Sequence, residues 1–185
     1  DRNAVLDYPP RLMRIDVATG TTSDVVPDVR AFGLSPDATH VVAVSADEKS
    51  LRIQNLSDPG DHVAIVPPGT YLYIVSPRFS PDGASIVFVA FDAATFPPAD
   101  PDEEPVASLW RVSSTGADLT RVASFESDDR SSLAWSGDGR AIYVLTSTAL
   151  LRVDLASGEA TPMREKVDLL TTLDWEPAPQ EEAGQ

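Results

Sequence analysis

Two histidines, His40 and His62, are the only imidazole groups in the chain, so a histidine that activates a serine nucleophile would have to be one of them. The Gly-x-Ser-x-Gly turn that presents the nucleophile of α/β-hydrolases does not occur. His40 follows a turn and His62 ends the loop sequence SDPGDH, which are positions typical of solvated polar residues. The sequence therefore predicts no catalytic residue in this chain.

Carboxylates are concentrated in the segment ADPDEE, residues 99–104. Hard cations prefer oxygen ligands, but the segment lacks the spacing and the internal glycine of a calcium-binding loop. We therefore expect a solvated acidic loop, with no metal and no other cofactor.

The same segment belongs to an insertion over residues 92–106. Ser80 and Arg111 are 31 positions apart, whereas the corresponding pairs Ser35 and Arg52, and Ser136 and Arg152, are 17 and 16 positions apart. Insertions in repeat proteins often form loops on the binding face, although a tolerated loop without function would look the same. The candidate binding residues in this loop are Phe96, Asp102, Glu103 and Glu104.

Arginines and tyrosines give two further candidate binding groups. Arg30, Arg78 and Arg130 lie near the starts of predicted inner strands, where clustered guanidinium groups would bind a carboxylate or a phosphate. Tyr71 and Tyr73 are two residues apart, so alternation along a strand would place both rings on one face as a platform for a small ligand or glycan. The alternative for the tyrosines is packing between sheets.

Composition limits the class of protein. The net charge of −15, from 29 acidic and 14 basic residues, repels phosphate backbones, so we expect no nucleic-acid partner. The longest apolar run, near Ile86–Phe91, is much shorter than the roughly 20 residues that cross a bilayer. Cysteine is absent, which removes disulfides and thiolate metal sites.

The elements that would position these groups come from an internal repeat. Three segments, FGLSPDATHVVAVS from Phe32, PRFSPDGASIVFVA from Pro77 and LAWSGDGRAIYVLT from Leu133, share an apolar residue, a serine, a turn with Asp and an alternating apolar run. Pro and Gly recur between short runs rich in Val, Ile and Leu, which indicates strands joined by turns. Each unit is predicted to be four strands, for example Val41–Val44, Leu51–Asn55 and Val63–Val66 after the inner strand that ends at Leu34.

An arginine strand follows each repeated turn, and the sequence alignment gives Arg14, Arg52, Arg111 and Arg152 one equivalent position. RIDVATG from Arg14 matches RVDLASG from Arg152 without a gap, at an offset of 138 positions (152 minus 14), about three repeats of roughly 45 residues. In the serine turn, Pro fixes φ, Asp bonds its own backbone and Gly takes a left-handed conformation. Asp37, Asp82 and Asp138 are therefore predicted to be structural, because a turn aspartate is needed in every unit.

The SPDG turn followed by an apolar strand resembles the WD-repeat-like β-propellers of the TolB type, over about residues 4–177. The resemblance implies an all-β propeller of antiparallel four-stranded blades, as one domain over residues 1–177. The polar composition of residues 178–185 predicts a disordered tail. It also implies a non-catalytic scaffold for a protein partner in an extracytoplasmic bacterial setting, periplasmic, secreted or tethered to the envelope. Two alternatives are an accessory propeller of a prolyl-oligopeptidase-like hydrolase, and a small-ligand or glycan-binding propeller.

The ends of the chain predict a shared blade. Ala4–Tyr8, Leu12–Val17 and Thr22–Val26 align with strands two, three and four of a unit, and Leu173–Trp175 aligns with an inner strand. Together they would complete a fourth blade and cover the open sheet edges. The sequence is compatible with a closed four-bladed ring, with part of a larger propeller and with two copies that complete one ring.

Overall fold

The computed structural model of the protein describes residues 10–58, 60–66, 71–91, 105–127 and 131–165. These residues form strands and turns without a helix, so no membrane-spanning helix lies within the described ranges. The strands are β1 (Arg11–Ile15), β2 (Thr22–Pro27), β3 (Val29–Leu34), β4 (His40–Ser45), β5 (Leu51–Asn55), β6 (His62–Val66), β7 (Tyr73–Phe79), β8 (Ser85–Phe91), β9 (Val106–Ser113), β10 (Thr120–Glu126), β11 (Ser132–Trp135), β12 (Ala141–Leu145), β13 (Ala149–Asp154) and β14 (Ala160–Glu165).

The strands form four separate antiparallel sheets in the order of the chain. Sheet 1 is β1–β2, sheet 2 is β3–β6, sheet 3 is β7–β10 and sheet 4 is β11–β14. Within each sheet, strands that are consecutive in the sequence are neighbours, as expected for short strands joined by tight turns. The predicted strands of the first full unit agree closely with β4, β5 and β6.

The core consists of apolar clusters between successive sheets. Val26 and Val29 pack with Val41 and Ala43 between sheets 1 and 2. A larger cluster between sheets 2 and 3 contains Val42, Val44, Leu51, Ile53, Ile74, Ile86, Phe88 and Val112. The third cluster, between sheets 3 and 4, contains Val87, Val89, Phe91, Leu109, Leu133, Ile142, Val144 and Val153. Sheets 2 and 3 therefore bury both faces, which explains why every residue of Ser85–Phe91 is buried.

Arg52 departs from the alignment that the sequence predicts. Arg14, Arg111 and Arg152 each lie two residues before the residue whose N–H closes the next turn, Asp16, Ser113 and Asp154 respectively. Arg52 lies three residues before its counterpart Asn55, so the position equivalent to the other arginines is Ile53. Because side chains alternate along a strand, Arg52 points back to sheet 1, where its Nη2 donates to the Pro27 carbonyl oxygen at 2.8 Å. The prediction of four equivalent arginines is wrong at Arg52.

Sheet 1 contributes two strands in the described part of the chain. Leu34 of the inner strand β3 is 49% exposed, whereas its counterparts Phe79 and Trp135 are buried against the preceding sheet. The predicted strands at 4–8 and 173–175, and the tail at 178–185, lie outside the described residues. A fourth blade shared between the two ends of the chain therefore stays a prediction.

Candidate functional site

The turns between first and second strands, and those between third and fourth strands, lie at one end of every sheet, because antiparallel strands reverse direction at each turn. We call this surface the turn face. Each of its described turns carries a carboxylate. The residues are Asp16, Asp37, Asp58, Asp61, Asp82, Asp118, Asp138, Asp154 and Glu159. Arg140 is the one Lys or Arg residue in these turns within the described residues.

The serine turns are built in the same way in sheets 2, 3 and 4. The hydroxyls of Ser35, Ser80 and Ser136 donate to Oδ1 of the aspartate two residues later at 2.6, 2.5 and 2.7 Å. Each hydroxyl also accepts the N–H of the residue five positions on, at 2.9 Å. Each aspartate in turn accepts a backbone N–H two residues on, as the sequence predicts.

These hydrogen bonds stabilise the ionised form of the turn aspartates. The Ser35 hydroxyl, with the N–H and hydroxyl of Thr39, lowers the pKa of Asp37 to about 2. The Ser80 hydroxyl lowers the pKa of Asp82, and the Ser136 hydroxyl lowers that of Asp138. These three turn aspartates therefore stay ionised in moderately acidic solution.

A groove on the turn face lies between sheets 2 and 3. Its inner part has a volume of about 360 Å³ and is lined by Ser35, Asp37, His40, Ile53, Phe79 and Asp82. The outer part, about 250 Å³, is lined by His40, Ile53, Asn55, Asp61, His62 and Ser114. Both histidines of the chain therefore line one groove, which we call the histidine groove. The sequence did not indicate this, because His40 and His62 follow two different turns.

The ring of His40 is held from one side. Thr39 Oγ1 lies 2.8 Å from His40 Nδ1 and donates to Asp37 Oδ2 at 2.9 Å. Within the described residues neither imidazole hydrogen-bonds to a serine hydroxyl, so the groove does not contain the hydrogen-bonded pair that activates a serine.

A second cavity on the turn face, of about 200 Å³, lies between sheets 3 and 4. It is lined by Ser80, Asp82, Ser85, Arg111, Trp135 and Asp138. The two cavities occupy equivalent places in consecutive repeats, yet Ile53 and Phe79 in the first correspond to Arg111 and Trp135 in the second. One repeated backbone therefore holds two sites of different chemistry.

Two members of the predicted arginine cluster, Arg30 and Arg78, lie within the described residues, and both have partners there. Arg30 pairs with Glu48, its Nε 3.2 Å from Oε1, while Arg78 Nη1 contacts the carbonyl oxygens of Pro77 and Phe32 at 3.0 and 3.4 Å. Arg30 is thus already neutralised by a carboxylate. Arg130 lies outside the described residues, and the anion site stays a prediction.

The tyrosine platform is replaced by packing between sheets. Tyr71 is 8% exposed and contacts Phe88 and Trp110, with ring centroids 6.5 and 5.5 Å apart. Tyr73 packs instead on Phe91, at 5.9 Å, in the cluster on the other side of sheet 3. The prediction that both rings share one face is wrong, because β7 begins at Tyr73 and the alternation of a strand does not extend back to Tyr71.

The insertion residues Phe96, Asp102, Glu103 and Glu104 lie outside the described residues, so a binding role for them stays a prediction. In the part of the chain that the structure describes, no group of three or more His, Cys, Asp or Glu side chains is arranged to hold a metal ion.

Comparison with known proteins identifies the fold. No protein-family model matches the sequence, and no curated protein sequence does so either. Among solved structures, the chain is similar to TolB from Acinetobacter baumannii, with 18% identity and a TM-score of 0.62 over 83% of this chain and 37% of that one. It is also similar to the acylaminoacyl peptidase of Pyrococcus horikoshii, with 16% identity and a TM-score of 0.59 over 85% of this chain and 28% of the peptidase.

A third similar structure is an auxiliary nutrient binding protein from Bacteroides thetaiotaomicron, with 14% identity and a TM-score of 0.58 over 91% of this chain and 39% of that one. The chain thus spans well under two thirds of each of these proteins. Identities this low show the fold and leave the function open. Its antiparallel four-stranded sheets and its structural relatives establish that the chain has an all-β, TolB-like propeller fold.

Proposed function

We propose that this propeller is a non-catalytic scaffold, in an extracytoplasmic bacterial protein of TolB-like architecture, whose turn face binds a protein partner with a basic surface. The observation that supports it most is the charge of that face, where each described turn presents a carboxylate and the serine turns keep theirs ionised. Such a field attracts a cationic partner, raises the rate of encounter and orients the encounter complex.

The sheets that carry these turns are held rigidly against one another. The N–H of Ile74 in β7 donates to the carbonyl oxygen of Glu48 in sheet 2 at 2.7 Å. The hydroxyl of Ser76 in sheet 3 donates to the carbonyl oxygen of Ser131, which leads into sheet 4. Polar contacts of this kind, added to the apolar clusters, hold neighbouring sheets together, and a preorganised surface loses less entropy on binding.

A pair of charge-reversal variants tests the proposal. Asp118→Lys with Glu159→Lys reverses two exposed charges on the turn face, and Asp28→Lys with Glu126→Lys reverses two exposed charges outside it. Asp28 and Asp118 are matched further, since both have a left-handed backbone, with φ of 54° and 57°. Both variants change the net charge equally, so a nonspecific charge effect would act on both.

The measurement is cross-linked capture of envelope proteins, followed by the affinity of each purified partner as a function of salt. We expect the turn-face variant to lose the partner and the control variant to keep it, with affinity falling as salt rises. Equal binding by the two variants would show that the turn face is not the interface. A matched deletion of residues 92–106 tests the insertion, since unchanged binding removes it as the contact site.

A second candidate is an accessory propeller of a prolyl-oligopeptidase-like hydrolase. The similarity to the acylaminoacyl peptidase supports it, since this chain spans 28% of that protein. Sequencing the complete open reading frame separates the two, because a hydrolase would carry a nucleophile turn and its histidine in further sequence. Absence of both from the complete protein would exclude this candidate.

A further inference from the structure

The cavity between sheets 3 and 4 is lined by a buried residue whose donor has no acceptor. Trp135 lines the cavity and is 7% exposed, and its indole Nε1 has no hydrogen-bond partner among the described residues. A buried N–H left unpaired destabilises the fold, and such groups are rare in folded proteins. A bound acceptor would satisfy it.

A second donor lies in the same wall. Arg111 uses Nε and Nη2 on the hydroxyl oxygen of Ser85, at 3.2 and 2.9 Å. Its Nη1 makes no hydrogen bond to the described residues, although Arg111 lines the cavity. The guanidinium group therefore has N–H groups that remain free to donate, and acceptor atoms of one ligand would accept hydrogen bonds from both Arg111 and Trp135.

Two carboxylates supply acceptors in the same cavity. Asp82 and Asp138 each use Oδ1 to accept the hydrogen bonds of their own turns. Within the described residues the Oδ2 atoms accept none, and both groups line the cavity. Both side chains are exposed, and because the serine hydroxyls keep both pKa values low, these oxygens are available to accept hydrogen bonds from a ligand.

We propose that this cavity binds a neutral, hydroxyl-rich ring of the monosaccharide class, hydrogen-bonded by Arg111 and Trp135 on one side and by Asp82 and Asp138 on the other. A hydroxyl group both donates and accepts, so one ligand satisfies all four residues. The two carboxylates repel an anion. The volume of about 200 Å³ lies below the range of about 300–1,000 Å³ usual for larger ligands, which favours a single ring.

The equivalent cavity of the histidine groove supplies the control. There Phe79 replaces Trp135 and Ile53 replaces Arg111, so both donors are missing although the turns are the same. Trp135→Phe therefore gives the cavity between sheets 3 and 4 the residue type that Phe79 provides in the histidine groove. The proposal does not depend on the scaffold function, because the ligand can bind whether or not the turn face binds a protein.

The experiment is calorimetric titration of the full chain with glucose, galactose, mannose and N-acetylglucosamine, alongside anionic galacturonate. We expect at least one neutral sugar to bind, and galacturonate to bind at least about tenfold more weakly than it does. Trp135→Phe and Arg111→Gln should each weaken binding by up to about tenfold, and His40→Ala should leave it unchanged. Arg111 is exposed, so we expect Arg111→Gln to fold, and this variant tests the site even if Trp135→Phe fails to fold.

Saturable binding of a neutral sugar that is lost in these variants supports the proposal. No binding by any neutral sugar, equal affinity in Arg111→Gln, or tighter binding of galacturonate would overturn it.

Discussion

Gly33 of β3 lies directly against the carbonyl oxygen of Pro77 in β7, so close that a β-carbon at Gly33 would come within 2.6 Å of that oxygen. The inner strands of sheets 2 and 3 thus meet backbone to backbone. Any side chain at this position would push the two sheets apart near their inner edges, where the spacing of the turn face is set.

We predict that Gly33→Ala destabilises the protein by about 2 kcal/mol, because the backbone oxygen of Pro77 cannot move away as a flexible side chain would. Denaturant unfolding measures the change. Gly60→Ala is the matched control, since its new β-carbon meets only the Asp58 side chain, and it should be neutral or slightly stabilising. Equal effects of the two substitutions would contradict the close approach.

The second prediction concerns the serine turn of sheet 2. Gly83 and Gly139 have φ of 72° and 68°, and the equivalent residue Ala38 is held in the same left-handed conformation at 54°. The left-handed conformation costs a non-glycine residue about 1–2 kcal/mol, so Ala38→Gly should raise the free energy of unfolding by about 1 kcal/mol. Gly83→Ala should lower it by a similar amount. A destabilising Ala38→Gly would show that the turn is not strained.

Stability should depend on pH in a defined window. The pKa of Asp37 is about 2 in the folded protein against an ordinary value of 3.8, and the pKa values of Asp82 and Asp138 are also lowered. Protonation therefore favours the unfolded chain, so the stabilisation is complete above about pH 4 and is lost as the pH falls from 3.8 towards 2.

Unfolding midpoints between about pH 7 and pH 2 measure this window. Replacing Ser35, Ser80 and Ser136 by alanine removes the first cause of the lowered pKa values, so the triple variant should be less stable at neutral pH and should lose less on acidification. The same acid dependence in the variant would contradict the assignment to the serine turns.

The fourth prediction separates packing from binding at the tyrosines. Tyr71→Ala removes a buried ring from between Phe88 and Trp110 and should cost about 3–5 kcal/mol. Phe32→Ala, at a ring that is 43% exposed, should cost much less. A small effect of Tyr71→Ala on the unfolding midpoint would return this ring to the list of binding residues.

The repeat in the sequence was sufficient to predict the sheets, since the strand after each serine turn and the arginine strand that follows it lie where the pattern predicts. It was insufficient for register, because the strand of Arg52 reaches its turn one residue later than the strands of Arg111 and Arg152. Both cavities depend on contacts between turns of different repeats. Trp135 and Arg111 are 24 positions apart (135 minus 111), and nothing local in the sequence indicates that they face one space.

The two equivalent cavities have a consequence for how such a protein diversifies. Each recess is lined by residues from two neighbouring copies of the repeat. A substitution at a lining position such as Arg111 or Ile53 therefore changes the chemistry of one recess and leaves the backbone of the others unchanged. Duplication of a repeat would add a new recess together with its new sheet, so binding sites would be gained one at a time while the existing sheets stayed unchanged.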